Sequence, residues 1–178
     1  TFEIVDSNNS VTVEDINTSS NLYLIDEVVF SDGEVWNHSD IKQQYFSQHT
    51  TDGNDIVIGF ERDDVFETSA GDDVFYGYDG DDTYKWSNTA GNDTIIETGL
   101  NSGDKVVFED LNITDLSVDI SGDDFVFTNL SNGNTLTVTD QVHQSSSLDN
   151  IETYEFADGT VISRFDLQVN YIPDQTLS

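Results

Sequence analysis

Aspartate is the residue type in this sequence whose spacing points most directly to chemistry. Between residues 50 and 96 an aspartate occupies the sixth position of five nine-residue segments, with two extra residues before the fifth segment. These aspartates are Asp55, Asp64, Asp73, Asp82 and Asp93. Carboxylate oxygens are ligands for hard cations, so this regular series predicts binding of a divalent ion such as calcium.

Two other positions of the segment indicate how the chain holds these aspartates. The fourth position is glycine in four of the five segments, with Arg62 as the exception, and glycine permits turns that point several carbonyl oxygens at one spot. Because side chains alternate along a strand, six residues of turn and three of strand leave only the eighth side chain facing inward. The eighth-position residues are all large and apolar or aromatic: Val57, Phe66, Phe75, Tyr84 and Ile95.

Two segments complete one coil, so turns eighteen residues apart stack on the same edge. Stacking brings Asp55 close to Asp73, Asp64 close to Asp82, and Asp73 close to Asp93. Two bare carboxylates about 4 Å apart repel by roughly 4 kcal/mol at an effective dielectric near 20. A divalent cation between them reverses the sign of that interaction, which explains why the chain tolerates the crowding.

The pattern resembles the repeats-in-toxin nonapeptide, Gly-Gly-x-Gly-x-Asp-x-large-x, of haemolysin-type calcium-binding proteins. First-position glycines are present only at Gly59 and Gly77, and the second position is never glycine. The resemblance implies a parallel β-roll that binds several calcium ions, three or more. It also implies that each sixth-position aspartate serves its own turn and the adjacent one. The third-position residues Asp52 and Asp79 are expected to be additional ligands.

The sequence on either side of this region predicts antiparallel hairpins. "IDEVVFSDGEVW" (residues 25–36) aligns with "IETYEFADGTVI" (residues 151–162) at a separation of 126 residues, and both contain a Ser/Ala-Asp-Gly turn. The second copy resembles the domain that commonly follows these nonapeptides in secreted calcium-binding proteins. The predicted fold is therefore all-β, a short calcium-binding parallel β-roll flanked by antiparallel hairpins.

The predicted organisation has four parts. Residues 1–45 are the tail of a preceding antiparallel unit that packs on the roll, and residues 46–97 are the roll. Residues 98–170 form the flanking antiparallel domain, and residues 171–178 a linker to a next domain, because the chain reads as a segment of a longer protein. One short helix of one or two turns is predicted at residues 39–48, with Ser39 as its N-cap.

The outer face of one roll sheet is expected to be apolar. Its outward positions are Ile56, Ile58, Val74, Tyr76 and Ile96. A free-standing roll should be polar outside, so this face is expected to be covered by the flanking hairpins or to bind a partner.

Composition excludes several classes of partner. The chain has 36 acidic residues against 5 Lys plus Arg, a formal net charge of -31, whereas nucleic acids and anionic membranes attract basic surfaces. No apolar run of about eighteen residues predicts a membrane span. Cysteine is absent, which excludes disulfides and thiolate metal sites. Disorder is not expected, because 35% of the residues are hydrophobic and can form a core.

No motif predicts catalysis. His38, His49 and His143 do not have the HExxH spacing of zinc proteases, and no serine lies in a GxSxG motif. We therefore expect a calcium-folded, non-enzymatic module. The family resemblance implies type I secretion, an extracellular or cell-surface location and a large adhesin as the parent protein. The alternatives are an adhesin domain that binds a cell-surface glycan or peptide, and the accessory domain of a secreted polysaccharide lyase, protease or lipase.

Overall fold

The computed structural model describes residues 2–6, 9–13, 27–99, 103–142 and 150–172. The chain forms two compact units, residues 1–48 and residues 49–178. The first contains β1 (Phe2–Asp6), β2 (Asn9–Val13), β3 (Glu27–Val29) and β4 (Val35–Asn37), followed by helix α1 (His38–His49). The second contains β5 (Ile56–Ile58), β6 (Val65–Glu67), β7 (Val74–Tyr76), β8 (Thr83–Trp86), β9 (Asp93–Ile96), β10 (Lys105–Phe108), β11 (Leu116–Ser121), β12 (Asp124–Asn129), β13 (Thr135–Val138), β14 (Thr153–Glu155) and β15 (Val161–Ser163). Helix α2 (Arg164–Asn170) follows β15, and a short 3₁₀ helix, Ile113–Asp115, precedes β11.

The second unit contains a parallel β-roll. From β5 to β10, successive strands alternate between two sheets, and each of the first four pairs in parallel with the strand two positions later in the chain. The eighth-position residues align across the coils, so that Val57 pairs with Phe75, Phe75 with Ile95, and Phe66 with Tyr84. The predicted all-β fold class is confirmed.

The eighth-position side chains fill the inside of the roll. All five are at most 1% exposed, because the residues before and after them on each strand point the other way. The rings of Phe66 and Tyr84 stack with centroids 4.9 Å apart, and Phe75 meets Phe66 edge-on at 5.7 Å. Burial of these rings holds the two sheets together.

The roll continues past residue 97. β13 pairs in parallel with β9, and β14 with β10. The sheets are completed in the orders β11-β12-β13-β9-β7-β5 and β15-β14-β10-β8-β6. The predicted division between residues 97 and 98 therefore falls inside both sheets of one compact unit. A roll that ended at β9 would leave the backbone groups on the edges of β8 and β9 unpaired.

Both hairpins of the sequence repeat are present. β3 pairs with β4, and β14 with β15, in antiparallel register. In each turn a phenylalanine N–H donates to the carbonyl four residues later. Phe30 donates to Glu34 O over 2.8 Å, and Phe156 donates to Thr160 O over 2.9 Å. Gly33 and Gly159 adopt positive φ values of 95° and 84°, a conformation that favours glycine.

A helix follows each of these hairpins directly. α1 is longer than predicted, and the predicted N-cap Ser39 is wrong, because the helix begins at His38 and the residue before it, Asn37, makes the cap. Asn37 Oδ1 accepts the N–H groups of Ser39 at 2.8 Å and Asp40 at 3.2 Å. The sequence analysis predicted strand and turn where α2 lies, because seven residues are too few to show a helical period.

The apolar outer positions of the first roll sheet differ in exposure. Ile56 is 67% exposed and Ile58 45%, whereas Val74, Tyr76 and Ile96 are partly buried. The packing of residues 1–45 on this face stays a prediction.

Some sequence predictions fall outside the described residues. These include residues 14–26 of the first unit, His143, and residues 173–178 of the predicted linker. Within the described part of the chain, neither helix has the length and apolar character needed to cross a membrane.

Candidate metal centre

The sixth-position aspartates lie where the roll strands begin, and the parallel register stacks them, together with Asp104 and Glu152, into two rows. Row one consists of Asp55, Asp73 and Asp93, beside β5, β7 and β9. Row two consists of Asp64, Asp82, Asp104 and Glu152, beside β6, β8, β10 and β14.

Within each row, the backbone N–H of one acid donates to the carboxylate of the acid in the next coil. In row one both such bonds measure 2.9 Å. In row two, Asp64 N–H donates to Asp82 Oδ1 and Asp82 N–H to Asp104 Oδ1, both over 2.7 Å. Asp104 N–H then donates to Glu152 Oε2 over 2.9 Å. One oxygen of each stacked carboxylate is thus stabilised by the backbone.

One oxygen of each row-one carboxylate accepts a hydrogen bond from a side chain. The donors are the Thr51 hydroxyl for Asp55, the Ser69 hydroxyl for Asp73 and the Trp86 indole for Asp93, each over 2.8 Å. The chain itself therefore satisfies both oxygens of Asp73 and Asp93, whereas the N–H and the hydroxyl of Thr51 both donate to Oδ2 of Asp55.

Row two differs, because several of its carboxylate oxygens are buried and accept no hydrogen bond. These atoms include Asp82 Oδ2, Asp104 Oδ2 and Glu152 Oε1. Asp82 is 0% exposed and Asp104 is 1% exposed. A buried carboxylate oxygen without a donor is costly, so this place requires either protons or a cation.

Glu97 adds another carboxylate to row two. Glu97, Asp82 and Asp104 are all buried, and each has an oxygen within 4.8 Å of an oxygen of the other two. We call these three residues the carboxylate cluster. Among the described residues it is the one group of three or more potential metal ligands that lie this close together. The Tyr84 hydroxyl donates to Glu97 Oε2 over 2.6 Å and fixes that side chain in place.

Gly77 leaves the space that the carboxylate cluster occupies. Its N–H donates to Ile96 O over 3.3 Å, which places Glu97 next to it in the following coil. A Cβ atom at residue 77 would collide with the Tyr84 hydroxyl, with Glu97 Oε2 and with Asp82 Oδ2. The three side chains can converge because residue 77 has no side chain.

Burial raises the pKa of every acid in the carboxylate cluster. The pKa of Asp82 rises to about 8, that of Glu97 to about 7 and that of Asp104 to about 6, with desolvation as the largest cause and neighbouring carboxylates as a further one. Burial likewise raises the pKa of Glu152 to about 7. At neutral pH, Asp82 therefore holds a proton and Glu97 and Glu152 are partly protonated, unless a positive charge lies beside them.

The carboxylate cluster fits a hard divalent cation. Its potential ligand atoms are all carboxylate oxygens, and Asp82 and Asp104 each have one buried oxygen that accepts no hydrogen bond. Calcium takes oxygen ligands and tolerates flexible geometry. Asp82, Glu97 and Asp104 would hold the ion, which would supply the positive charge that their burial requires.

The predicted metal ligands occupy two kinds of position. The sixth-position aspartates all lie in the two rows, and Asp82 also belongs to the carboxylate cluster. Asp52 and Asp79, the third-position residues, are exposed and lie outside the cluster.

Asp104, Glu97 and Glu152 were not predicted as ligands from the sequence. Asp104 has a signal in the sequence, because a sixth segment begins at Gly99 after two extra residues and places Asp104 at its sixth position and Val106 at its eighth. Glu97 lies between two segments, and Glu152 lies beside a hairpin strand far along the chain. Neither is marked by the nine-residue period.

Comparison with protein-family models adds a finding about the first unit. The model described as haemolysin-type calcium binding protein related domain matches residues 1–40. The match covers 40 of the 178 residues and supports a relation to haemolysin-type calcium-binding proteins. No curated protein matches the chain.

Proposed function

We propose that this chain is a calcium-binding module whose second unit folds around calcium ions held by its acidic rows. The observation that carries the proposal is the carboxylate cluster. Asp82 and Asp104 each have a buried oxygen that accepts no hydrogen bond, and both carboxylates lie within 4.8 Å of the Glu97 carboxylate. A calcium ion there offsets charges that burial otherwise disfavours.

The proposal includes three or more ions in the second unit. The remaining sixth-position aspartates Asp55, Asp64, Asp73 and Asp93 are assigned as ligands in their turns, with Asp52 and Asp79 as additional ligands. Support comes from the register, which stacks acids of successive coils within hydrogen-bonding distance of one another's backbone.

Calcium binding and folding are coupled in this proposal. A net charge of -31 disfavours the compact state when no cation is bound. Extracellular calcium modules have Kd values of about 10⁻⁴ to 10⁻³ M. An ion concentration about tenfold above Kd adds roughly 1.4 kcal/mol for each site, so three sites add about 4 kcal/mol, which is comparable to the net stability of a small domain.

We place the module in a large secreted protein, an adhesin exported through a type I channel, and assign it structural extension without a catalytic role. The support is the resemblance of the nonapeptides and the haemolysin-type family description matched by residues 1–40. In a cytosol poor in calcium the unneutralised chain would stay loose enough for export, and calcium outside the cell would fold it.

Binding of a cell-surface glycan or peptide is the second candidate function. It is favoured by the apolar and aromatic side chains exposed on and beside the first roll sheet. Ile56 is 67% exposed and Tyr78 41%, and the Tyr78 ring stacks on Tyr76 with centroids 6.4 Å apart. Aromatic faces of this kind are used to bind sugars and peptides.

Asp82→Asn tests the proposed calcium site. The amide keeps the shape of the side chain and can still accept the Asp64 N–H, but it removes one buried charge. Above about pH 8 without calcium, where Asp82 of the parent chain is ionised, we expect the variant to be more stable than the parent chain because repulsion falls. We also expect it to bind calcium at least about tenfold more weakly at this site. Thermal unfolding with and without calcium and calorimetric calcium titration measure the two effects.

Asp119→Asn is the matched control, because it makes the same chemical change at an exposed residue of β11. It should leave both the calcium affinity and the stability without calcium almost unchanged. Equal calcium affinity of the Asp82→Asn and Asp119→Asn variants would contradict the assignment of the carboxylate cluster as a calcium site.

A further inference from the structure

The end of the second unit repeats the elements of the first unit in the same order. The hairpins β12–β13 and β14–β15 and the helix α2 correspond to the hairpins β1–β2 and β3–β4 and the helix α1. β4 and α1 each begin 126 residues before β15 and α2. The sequence repeat is therefore also a structural repeat, and the family match over residues 1–40 lies within its first copy.

The two helices agree in their buried residues and in their caps. Ile41 in α1 is 1% exposed, and Leu167 at the same place in α2 is 0% exposed. Asn37 accepts the N–H of Asp40, and at the corresponding positions Ser163 accepts the N–H of Asp166. The agreement extends through the hairpin and the first turn of the helix.

In the second unit these hairpins close the end of the roll. β13 adds to the sheet edge that β9 presents, and β14 adds to the edge that β10 presents, both in parallel register. Without these hairpins, the edges of β9 and β10 would expose unpaired backbone N–H and C=O groups.

In the part of the first unit that the structure describes, the corresponding strands have the same edges open. Within the described residues, β2 pairs only with β1, and β3 only with β4, as two separate two-stranded sheets. We infer that the first unit is the end cap of another nonapeptide roll, and that β2 and β3 pair in parallel with the last strands of its two sheets.

The partner is a roll other than the one in the second unit. In the second unit the capping hairpins pair with β9 and β10, the last strands of the roll in each sheet. The free edges of β9 and β10 are therefore already occupied, by β13 and β14. A second copy of this chain has the same edge occupied. The fitting partner is therefore an uncapped coil of nonapeptides, with one strand in each sheet.

The hairpin register identifies the backbone groups that would bind this partner. Because Phe30 N–H bonds within the turn and hydrogen-bonded pairs alternate along an antiparallel ladder, the pair Val29 and Val35 directs its N–H groups away from the hairpin. The Val29 N–H points from the free edge of β3, which corresponds to the edge of β14 that pairs with β10. The Val35 N–H points from the free edge of β4, on the opposite side of the hairpin. In the second unit that opposite edge belongs to β15, the last strand of its sheet.

A fusion chain tests the inference. In this fusion, residues 49–123 are placed directly before residues 1–178. Phe2 then takes the place that Phe125 has in the second unit. The two residues correspond, because Phe2 pairs with Val13 as Phe125 pairs with Val138. In saturating calcium, we expect the Glu27 amide to exchange with solvent at least about a hundredfold more slowly in the fusion than in the 178-residue chain. An unchanged exchange rate would overturn the proposal.

Two proline variants of the fusion separate the two edges of the hairpin. Val29→Pro removes a donor from the proposed docking edge, and Val35→Pro removes one from the opposite edge. Val29→Pro should abolish the slow exchange of the Glu27 amide in the fusion, whereas Val35→Pro should retain it. In the 178-residue chain the two variants should have the same effect on this exchange. Equal effects in the fusion, or protection of Glu27 caused by dimerisation of the 178-residue chain, would contradict the assigned partner.

Discussion

At the scale of single residues, Gly77 shows how an absent side chain permits a buried group of charges. Its φ is not positive, so its backbone conformation does not require glycine. The lack of space requires glycine, because a Cβ atom there would enter the volume where Asp82, Glu97 and the Tyr84 hydroxyl meet. The glycine is thus part of the candidate metal centre, although it offers no ligand side chain.

Gly77→Ala should weaken calcium binding at the carboxylate cluster by at least about tenfold, because the added methyl group displaces two carboxylates. Gly53→Ala is the control, since a Cβ atom there meets only Thr51 Oγ1 at an ordinary 3.6 Å. Calorimetric titration of both variants measures the difference, and circular dichroism in saturating calcium shows whether each is folded. Equal affinities would show that the space at residue 77 does not matter for the ion.

The site was predictable only where it follows the nine-residue period. Asp82 was predicted from its phase, and Asp104 could have been predicted from the segment that begins at Gly99. Glu97 could not, because it is one of the two extra residues between segments, where the nine-residue period assigns no residue type. With 36 acids in the chain, only the fold distinguishes this glutamate from the solvent-exposed ones.

At the scale of elements, β10 joins the nonapeptide coils to the hairpins that follow them. Phe108 at its end packs edge-on against Trp86 of β8 with centroids 5.9 Å apart. It also stacks on Phe156 at 5.0 Å and meets Phe127 of β12 at 5.1 Å. One ring thus connects the coils to both hairpins.

Phe108→Ala should lower the free energy of unfolding by about 3 to 5 kcal/mol, the usual cost of deleting a fully buried phenylalanine. Val107→Ala, one residue earlier and only partly buried on the other face of β10, should cost much less. Urea unfolding in saturating calcium measures both. If Phe108→Ala were no more harmful than Val107→Ala, the roll and the hairpins would not share a core.

The elements were predictable where their period is local. The three-residue strands and their buried eighth positions follow from the sequence, and so do the hairpin turns at Gly33 and Gly159. The parallel pairing of β13 with β9 was not foreseen, because it joins residues about forty positions apart. An alternating strand has the same sequence pattern whether its neighbour is a hairpin partner or a roll coil.

At the scale of the whole molecule, five acids whose pKa is raised by burial determine how stability without calcium depends on pH. They are Asp82, Glu97, Asp104, Glu152 and, in row one, Asp93. Their pKa values in the folded state are about 6 to 8, above the ordinary values of 3.8 for aspartate and 4.5 for glutamate. The folded state therefore holds protons that the unfolded state releases. The contribution of these acids to the free energy of unfolding is fully present below their ordinary pKa values. It is lost as the pH rises through their folded-state pKa values toward 8.

Without calcium, the melting temperature should therefore fall between about pH 5 and about pH 8, by an amount equivalent to at least about 2 kcal/mol. Asp55, which is partly buried, and Asp158, which is exposed, have pKa values lowered by hydrogen bonds from Thr51 and Thr160, and their contribution is lost only at lower pH. In saturating calcium the trend should reverse, because protons and calcium compete for the same oxygens. Melting curves at constant ionic strength, in metal-free buffer and with calcium, measure both trends. A metal-free protein more stable at pH 8 than at pH 5 would show that the carboxylate cluster is not a destabilising group of buried charges.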